Sequence, residues 1–186
     1  MAAKTLSDTD FPHDDLWVFG YGSLIWNPGF DFVEKAAARL IGEHRSLCIY
    51  SLVHRGTPEK PGLVLGLDRG GACQGVAFRV AAEKRESTIA YLRAREQVTG
   101  VYREVLRSVW LHGDARQRVS AVAYVADRGH GQYAGRLSVT QQAHFVRQGH
   151  GQSGANVDYV LTTVAALEAQ GVHDARLHQL VGLLRG

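Results

Sequence analysis

At 186 residues the chain has room for one compact domain and a core that needs no staples. Hydrophobic residues at 45% and charged residues at 21% fit a globular protein and argue against disorder. The formal charge of +3 comes from scattered Lys and Arg, with no basic run interleaved with aromatics. That leaves nucleic-acid binding unsupported and is compatible with an anionic substrate.

Residues 1–15 read as a flexible leader. They are polar, turn acidic toward Asp15 and lack the basic-then-apolar pattern of a secretory signal. No apolar run approaches membrane-spanning length, so a cytoplasmic protein is expected. Residues 16–186 are then a single domain. Leu16 to Tyr21 predicts a short buried strand ending at glycine. Arg45 to Val53 predicts a second strand, and His54 to Gly62 a loop, because Pro58 and Pro61 cannot pair regularly. Leu63–Asp68 and Cys73–Val80 flank Arg69-Gly70-Gly71, a turn signal that predicts a hairpin.

The pattern changes at Glu83. Glu83 to Gln97 predicts a helix, with Ile89, Leu92 and Glu96 at i, i+3 and i+7. Tyr102–His112 and Gln117–Asp127 are rich in Val, Tyr and Trp and predict a second hairpin around Gly113-Asp114-Ala115-Arg116. From Ser138 the chain reads as helical. Ser138 and Gln141 have capping-box spacing, and Asn156 is placed to cap a helix running to Gln170 that stops at Gly171. Leu177, Leu180, Val181 and Leu184 mark a last amphipathic helix. Strands before about residue 127 and helices after it give an α+β class, with a curled sheet or small barrel and helices packed outside.

Four features bear on chemistry. Gly20-Tyr21-Gly22-Ser23-Leu24 ends a strand with two glycines, so the backbone can approach a ligand and its N–H groups can hold an oxyanion or carboxylate. A plain tight turn is the alternative. Ile25 stands where a dinucleotide loop needs its third glycine, and Tyr21 and Ile25 replace the glycines of a nucleophile elbow. Glu96 shares a helix face with Ile89 and Leu92. A carboxylate there is either functional, with burial raising its pKa toward proton transfer, or paired with Arg93, Arg95 or Arg103.

The loop His54-Arg55-Gly56-Thr57-Pro58 is stiff, and Arg55 is suited to clamp a carboxylate. A solvated connector is the alternative. Two Gly-His-Gly-Gln stretches, 129–132 and 149–152, lack acidic or thiolate partners at ligand spacing and read as loops, so no metal is expected. Cys48 and Cys73 read as buried reduced thiols without an activating context.

The motifs combine in order: Phe19-Gly20-Tyr21-Gly22-Ser23-Leu24-Ile25-Trp26, His54-Arg55-Gly56-Thr57-Pro58, Arg95-Glu96 with Thr99-Gly100-Val101-Tyr102, and Gly154-Ala155-Asn156-Val157-Asp158-Tyr159. This series resembles the ChaC family of glutathione-specific γ-glutamylcyclotransferases, from about Trp17 to the last helix. YGSLIW followed by HRGTP is specific; YGSL alone is shared with the wider cyclotransferase-like superfamily. Gln97-Val98-Thr99-Gly100 replaces a shorter Lys-Gly-Gly of some members and looks more like bacterial ones.

The resemblance implies a mixed β-barrel with packed helices. It implies a substrate loop of Tyr21, Gly22, Ser23, Leu24, Ile25 and Trp26, Glu96 as catalytic acid/base, and Tyr133 near the site. The implied reaction cyclises the γ-glutamyl group of glutathione to 5-oxoproline and releases Cys-Gly, with no cofactor, no metal and no obligate protein partner. Alternatives are a cyclotransferase for other γ-glutamyl peptides or amines, and a non-catalytic binding or regulatory protein linked to cation transport.

Overall fold

The computed structural model describes residues 15–113 and 117–186. Residues 1–14 of the expected leader, and 114–116 of the second expected hairpin turn, lie outside the described residues. Five strands close into a barrel: β1 (Leu16–Gly20), β2 (Glu34–Ser51), β3 (Gly62–Val80), β4 (Tyr102–Leu111) and β5 (Gln117–Ala126), in the order β1-β3-β2-β4-β5. The pairing is mixed. β1 runs antiparallel to β3, with Leu16 opposite Val80, and parallel to β5, with Trp17 opposite Ala121. β4 and β5 form the expected antiparallel hairpin, from Tyr102 opposite Ala126 to Leu111 opposite Gln117. Among the described residues there are four α-helices: α1 (Arg85–Glu96), α2 (Val139–Gln148), α3 (Asn156–Ala169) and α4 (Ala175–Arg185). The architecture is the α+β mixed barrel with helices that the sequence predicts.

Two compact units divide the chain. One joins the segment up to Arg45 with Leu67–Asp127, and the other joins Ser46–Gly66 with Arg128–Gly186. In the first, α1 lays its apolar stripe on the barrel: Ile89 and Leu92 pack with Leu16, Val18, Leu24, Val80, Val122 and Tyr124. Burying Ile89 and Leu92 contributes about 1.5–3 kcal/mol each. In the second, α2, α3 and α4 pack together, burying Ala143, Val146, Val160, Val164, Leu167, Leu177, Leu180 and Val181. A two-residue ladder of β6 (His150–Gly151) and β7 (Gly154–Ala155) precedes α3.

Three expectations need correction. The Arg69-Gly70-Gly71 stretch does not reverse the chain. β3 runs through it, with Gly70 at φ 101° and Gly71 at φ 73°. The glycines accept left-handed geometry while the strand stays paired to β2, and the Gly70 carbonyl lies 2.9 Å from His44 Nδ1. β2 also starts eleven residues before Arg45, at Glu34. Its Glu-Lys-Ala-Ala-Ala-Arg opening favours helix locally, and pairing with β4 overrides that, with Ala38 opposite Leu111 and Leu40 opposite Val109.

Asn156, third, does not cap α3; Ala155 takes the N-cap position and no side chain bonds there. The fully buried Asn156 amide instead accepts from Leu63 N–H at 2.6 Å and donates to Leu63 O at 2.8 Å. The capping box of α2 is present as predicted, with Ser138 and Gln141 bonding reciprocally, and Gly171 follows α3 at φ 69°.

One further bend shapes the barrel interior. In β2 the buried positions are Ala38 and Leu40, then Glu43, Arg45 and Leu47, with exposed Ile41 and Gly42 between them. Gly42 has φ 109°. A left-handed glycine that adds one residue to a strand switches which side chains face inward. Here it turns Glu43 and Arg45 into the core.

Candidate active site

β1 carries the chain to Gly20, and a single 3₁₀ turn over Ser23–Ile25 follows. Gly20 and Gly22 do not use positive φ; what glycine provides at position 20 is room, since a Cβ there would press on Leu24 and Phe78 at 3.2 Å. The turn closes by Ile25 N–H donating to Gly22 O and Asn27 N–H to Ser23 O. Among the described residues, the N–H groups of Gly22, Ser23 and Leu24 have no hydrogen-bond partner. Three successive unpaired N–H groups form the type of concavity that holds a carboxylate or developing oxyanion. Tyr21, Leu24 and Ile25 are buried, Ser23 is half-buried and Trp26 is 36% exposed.

Arginines hold this loop at both ends. At its start the buried Arg45 donates from Nε to Tyr21 O at 2.7 Å and from Nη2 to Gln74 O at 2.6 Å. At its far end Arg95, in the last turn of α1, donates to Ser23 Oγ at 2.9 Å, Asn27 O at 2.6 Å and Pro28 O at 3.2 Å. Beside them Gly29 holds φ 75°, a left-handed backbone that strains other residues, and a Cβ there would also meet the Tyr91 hydroxyl.

Glu96 is the final residue of α1, with 17% of its side chain exposed, and its Oε1 lies 3.2 Å from Arg95 Nε. Burial pushes its carboxyl above the ordinary glutamate range, and the Arg95 charge pulls part of that back. The pairing expected as one alternative is present, with Arg95 rather than Arg93 or Arg103 as the partner, and the carboxyl is at the same time largely desolvated.

Behind Glu96 lies a charged network. Arg93 grips Glu104 with Nε at 3.2 and 3.0 Å and Nη2 at 2.8 Å, and the Tyr124 hydroxyl donates to Glu104 Oε2 at 2.9 Å. Only 1% of the Glu104 side chain is exposed. Burial, the Glu104 charge and hydrogen bond, and the Glu96 charge all push the Tyr124 phenol well above its ordinary range, against a smaller pull from Arg93. Tyr124 thus stays a neutral donor.

Sequence patterns did not single out Arg45, Glu104 or Tyr124. Arg45 is hidden in a strand whose inward face cannot be assigned without the bulge at Gly42, and Glu104 is a charged residue in a strand read only for its Val, Tyr and Trp content. Arg93, one of the three arginines expected as a partner for Glu96, pairs with Glu104 instead.

Tyr21–Trp26 and Glu96 share the first unit. Arg55 and Tyr133 belong to the second. Arg55 Nη1 donates to Ala155 O at 3.2 Å, and its guanidinium stacks 5.5 Å from the Tyr159 ring. Its loop is stitched to the 149–156 segment by Gln152 N–H to Val53 O and Ser153 N–H to His54 O. Gly56 is needed there for close approach, since a Cβ would collide with Gly62 N and Ser51 O. Tyr133 bridges to Ile49 and carries Arg128 5.8 Å from its ring. The histidines of the two Gly-His-Gly-Gln stretches lie in a turn and in β6, and no group of three or more His, Cys, Asp or Glu among the described residues is arranged to hold a metal. Cys48 and Cys73 are buried and not disulfide-bonded. No helix among the described residues is long and apolar enough to cross a membrane.

Comparison with known proteins places this arrangement. A glutathione-specific γ-glutamylcyclotransferase of Escherichia coli (strain K12) is 33% identical over 166 residues, spanning 89% of this chain and 71% of that protein. One from Schizosaccharomyces pombe is 32% identical, spanning 94% and 92%. The fold matches a crystal structure of a glutathione-specific γ-glutamyl cyclotransferase from yeast with a TM-score of 0.84 at 21% identity, over 92% of this chain and 96% of that one. The model of the ChaC-like protein family matches residues 16–185. The chain belongs to the ChaC-like family.

Proposed function

We propose that this chain is a glutathione-specific γ-glutamylcyclotransferase, a lyase that converts the γ-glutamyl group of glutathione to 5-oxoproline and releases Cys-Gly. The observation that carries the reading is the junction of Glu96, desolvated and paired to Arg95, with a loop of three unpaired N–H groups that the same Arg95 holds. The names of the family's curated members in bacteria, fission yeast and vertebrates support the substrate.

The reaction asks little of the protein beyond geometry. The substrate's own α-amine attacks its γ-glutamyl carbonyl, so nucleophile and electrophile arrive together. Holding such a pair in line is worth up to about 7–11 kcal/mol. A new N–C bond closes the five-membered ring and the bond to the cysteinyl nitrogen breaks. Glu96 takes the proton from the amine and returns it to the departing nitrogen, leaving the enzyme unchanged. The N–H groups of Gly22, Ser23 and Leu24 meet the carbonyl oxygen as it gains charge. Tyr21, Ile25 and Trp26 shape the loop around the glutamyl arm.

Arg55 is proposed separately, as a guanidinium that meets a substrate carboxylate; an unchanged KM in Arg55→Ala removes that role. Tyr133 is proposed as a hydroxyl donor to substrate, which Tyr133→Phe tests in the same way. The substrate itself is tested by comparing glutathione with γ-glutamyl-alanine. Preferential release of 5-oxoproline from glutathione supports the reading, and preference for the dipeptide replaces it with a broader cyclotransferase.

A further inference from the structure

From sequence, Arg95 is one of three arginines, with Arg93 and Arg103, placed to be a counter-ion for Glu96. Its guanidinium does more than that. Nε lies 3.2 Å from Glu96 Oε1, Nη2 donates to Ser23 Oγ at 2.9 Å, and Nη1 faces Asn27 O at 2.6 Å, the Tyr91 hydroxyl at 3.0 Å and Pro28 O at 3.2 Å. One planar fork therefore bonds the end of α1 and the 23–28 loop together. A guanidinium has no acceptor, so Ser23 Oγ must accept from it. The hydroxyl hydrogen of Ser23 is then unspent, and Ser23 has no other side-chain partner among the described residues.

We propose that Arg95 is a positioning residue that ties the substrate loop to Glu96, presenting the Ser23 hydroxyl as a donor to a substrate oxygen and keeping the Glu96 carboxylate in register with it. The inference rests on the cyclotransferase reading above. Arg95 acts through Ser23 and Glu96 rather than on the reacting atoms.

The groups that face Glu96 define its expected pH signature. Arg95 stands beside it on α1. Tyr124 of β5 faces it with a hydroxyl committed to Glu104 of β4, and Arg93 of α1 balances Glu104. Burial raises the Glu96 carboxyl and Arg95 is the group that lowers it. Because Glu96 must be ionised to accept the amine proton, loss of the guanidinium moves the acidic limb of kcat/KM to higher pH. Lysine restores the charge without the fork, so it restores the limb and leaves the loop loose.

The test is the pH profile of 5-oxoproline release from glutathione by wild type, Arg95→Gln, Arg95→Lys and Ser23→Ala, with thermal unfolding measured alongside. Arg95→Gln is expected to lose kcat/KM on the order of 10²-fold near neutral pH and to shift the acidic limb upward. Arg95→Lys is expected to keep the wild-type limb with a raised KM. Adding Ser23→Ala to Arg95→Gln is expected to cost little more. A folded Arg95→Gln with wild-type limb and KM, or losses from Arg95→Gln and Ser23→Ala that multiply independently, overturns the proposal. Should Arg95→Gln fail to fold, wild-type KM in Arg95→Lys overturns it. A wild type that releases no 5-oxoproline sinks the functional reading instead. The tie is then read from an NMR titration of the Glu96 carboxyl, where an upward shift in Arg95→Gln supports it and an unchanged titration overturns it.

Discussion

The two units bury polarity in opposite ways. Among the described residues, the buried charged side chains, Glu43, Arg45, Asp68 and Glu104, all lie in the unit that carries the Tyr21–Trp26 loop and Glu96. The other unit buries Ser51, Gln142, Asn156 and Thr163, all neutral. Asn156 is the clearest neutral case, since one amide satisfies both backbone groups of Leu63. Arg93–Glu104–Tyr124 is the clearest charged one. A buried ion pair is an inefficient route to stability, because the desolvation penalty offsets most of the attraction. Its place next to Glu96, and not in the helical unit, fits a role in holding the proposed proton-transferring carboxylate in a fixed field.

That contrast makes graded predictions. The largest effect belongs to Glu104→Ala, which removes the buried partner of Arg93 and the acceptor of the Tyr124 hydroxyl and should cost about 3–5 kcal/mol in urea unfolding. Asn156→Ala comes next, at about 2–4 kcal/mol, since two buried backbone groups of Leu63 lose their partner. The two losses differ in kind. Replacing the whole charged set with apolar residues, as Arg93→Met, Glu104→Leu and Tyr124→Phe together, should recover most of the stability while activity stays low. No apolar substitution at 156 should recover Asn156→Ala, because its partners are backbone. Full activity in the triple variant would break the link between buried charge and the site.

A smaller effect of opposite sign is expected at Glu96. Its folded-state pKa is raised by burial, so the native protein favours the protonated carboxyl. The stability this group contributes is present at low pH and is lost as pH rises through the raised value. Glu96→Gln should therefore unfold at a higher temperature than wild type at pH 8, with the gain fading toward pH 4. Each kcal/mol gained corresponds to about 2–4 °C. The smallest effect is at His178. Its imidazole is held between Asp174 O and Glu168 Oε1, both at 2.7 Å, and the Asp174 carbonyl first, then Glu168, raises its pKa. Its stabilising contribution should be present at pH 5 and vanish as pH rises past that raised value, which His178→Gln should abolish with little other change in melting temperature.

The same contrast explains what was legible in the residues alone. β1, α1, the β4–β5 hairpin and the α2 capping box announce themselves through local periodicity and spacing, and the YGSL loop and Glu96 stand at the ends of two of them. The helix-favouring first half of β2 and the unbroken β3 depend on which strand lies alongside, and nothing local encodes that. The buried charges of β2 were hidden for a related reason. Gly42 resets the alternation of β2, so Glu43 and Arg45 look like surface residues until the barrel closes. Arg95 shows a different limit: a guanidinium with five bonding partners and a solvated helix-end arginine are spelled alike.

The most direct test is release of 5-oxoproline and Cys-Gly from glutathione by wild type and by Glu96→Gln, with folding of both verified by near-UV circular dichroism. Equimolar release of both products by wild type is predicted, with about 10²–10⁴-fold lower turnover in a folded Glu96→Gln. Near-wild-type release by that variant would contradict Glu96 as the group that moves the proton.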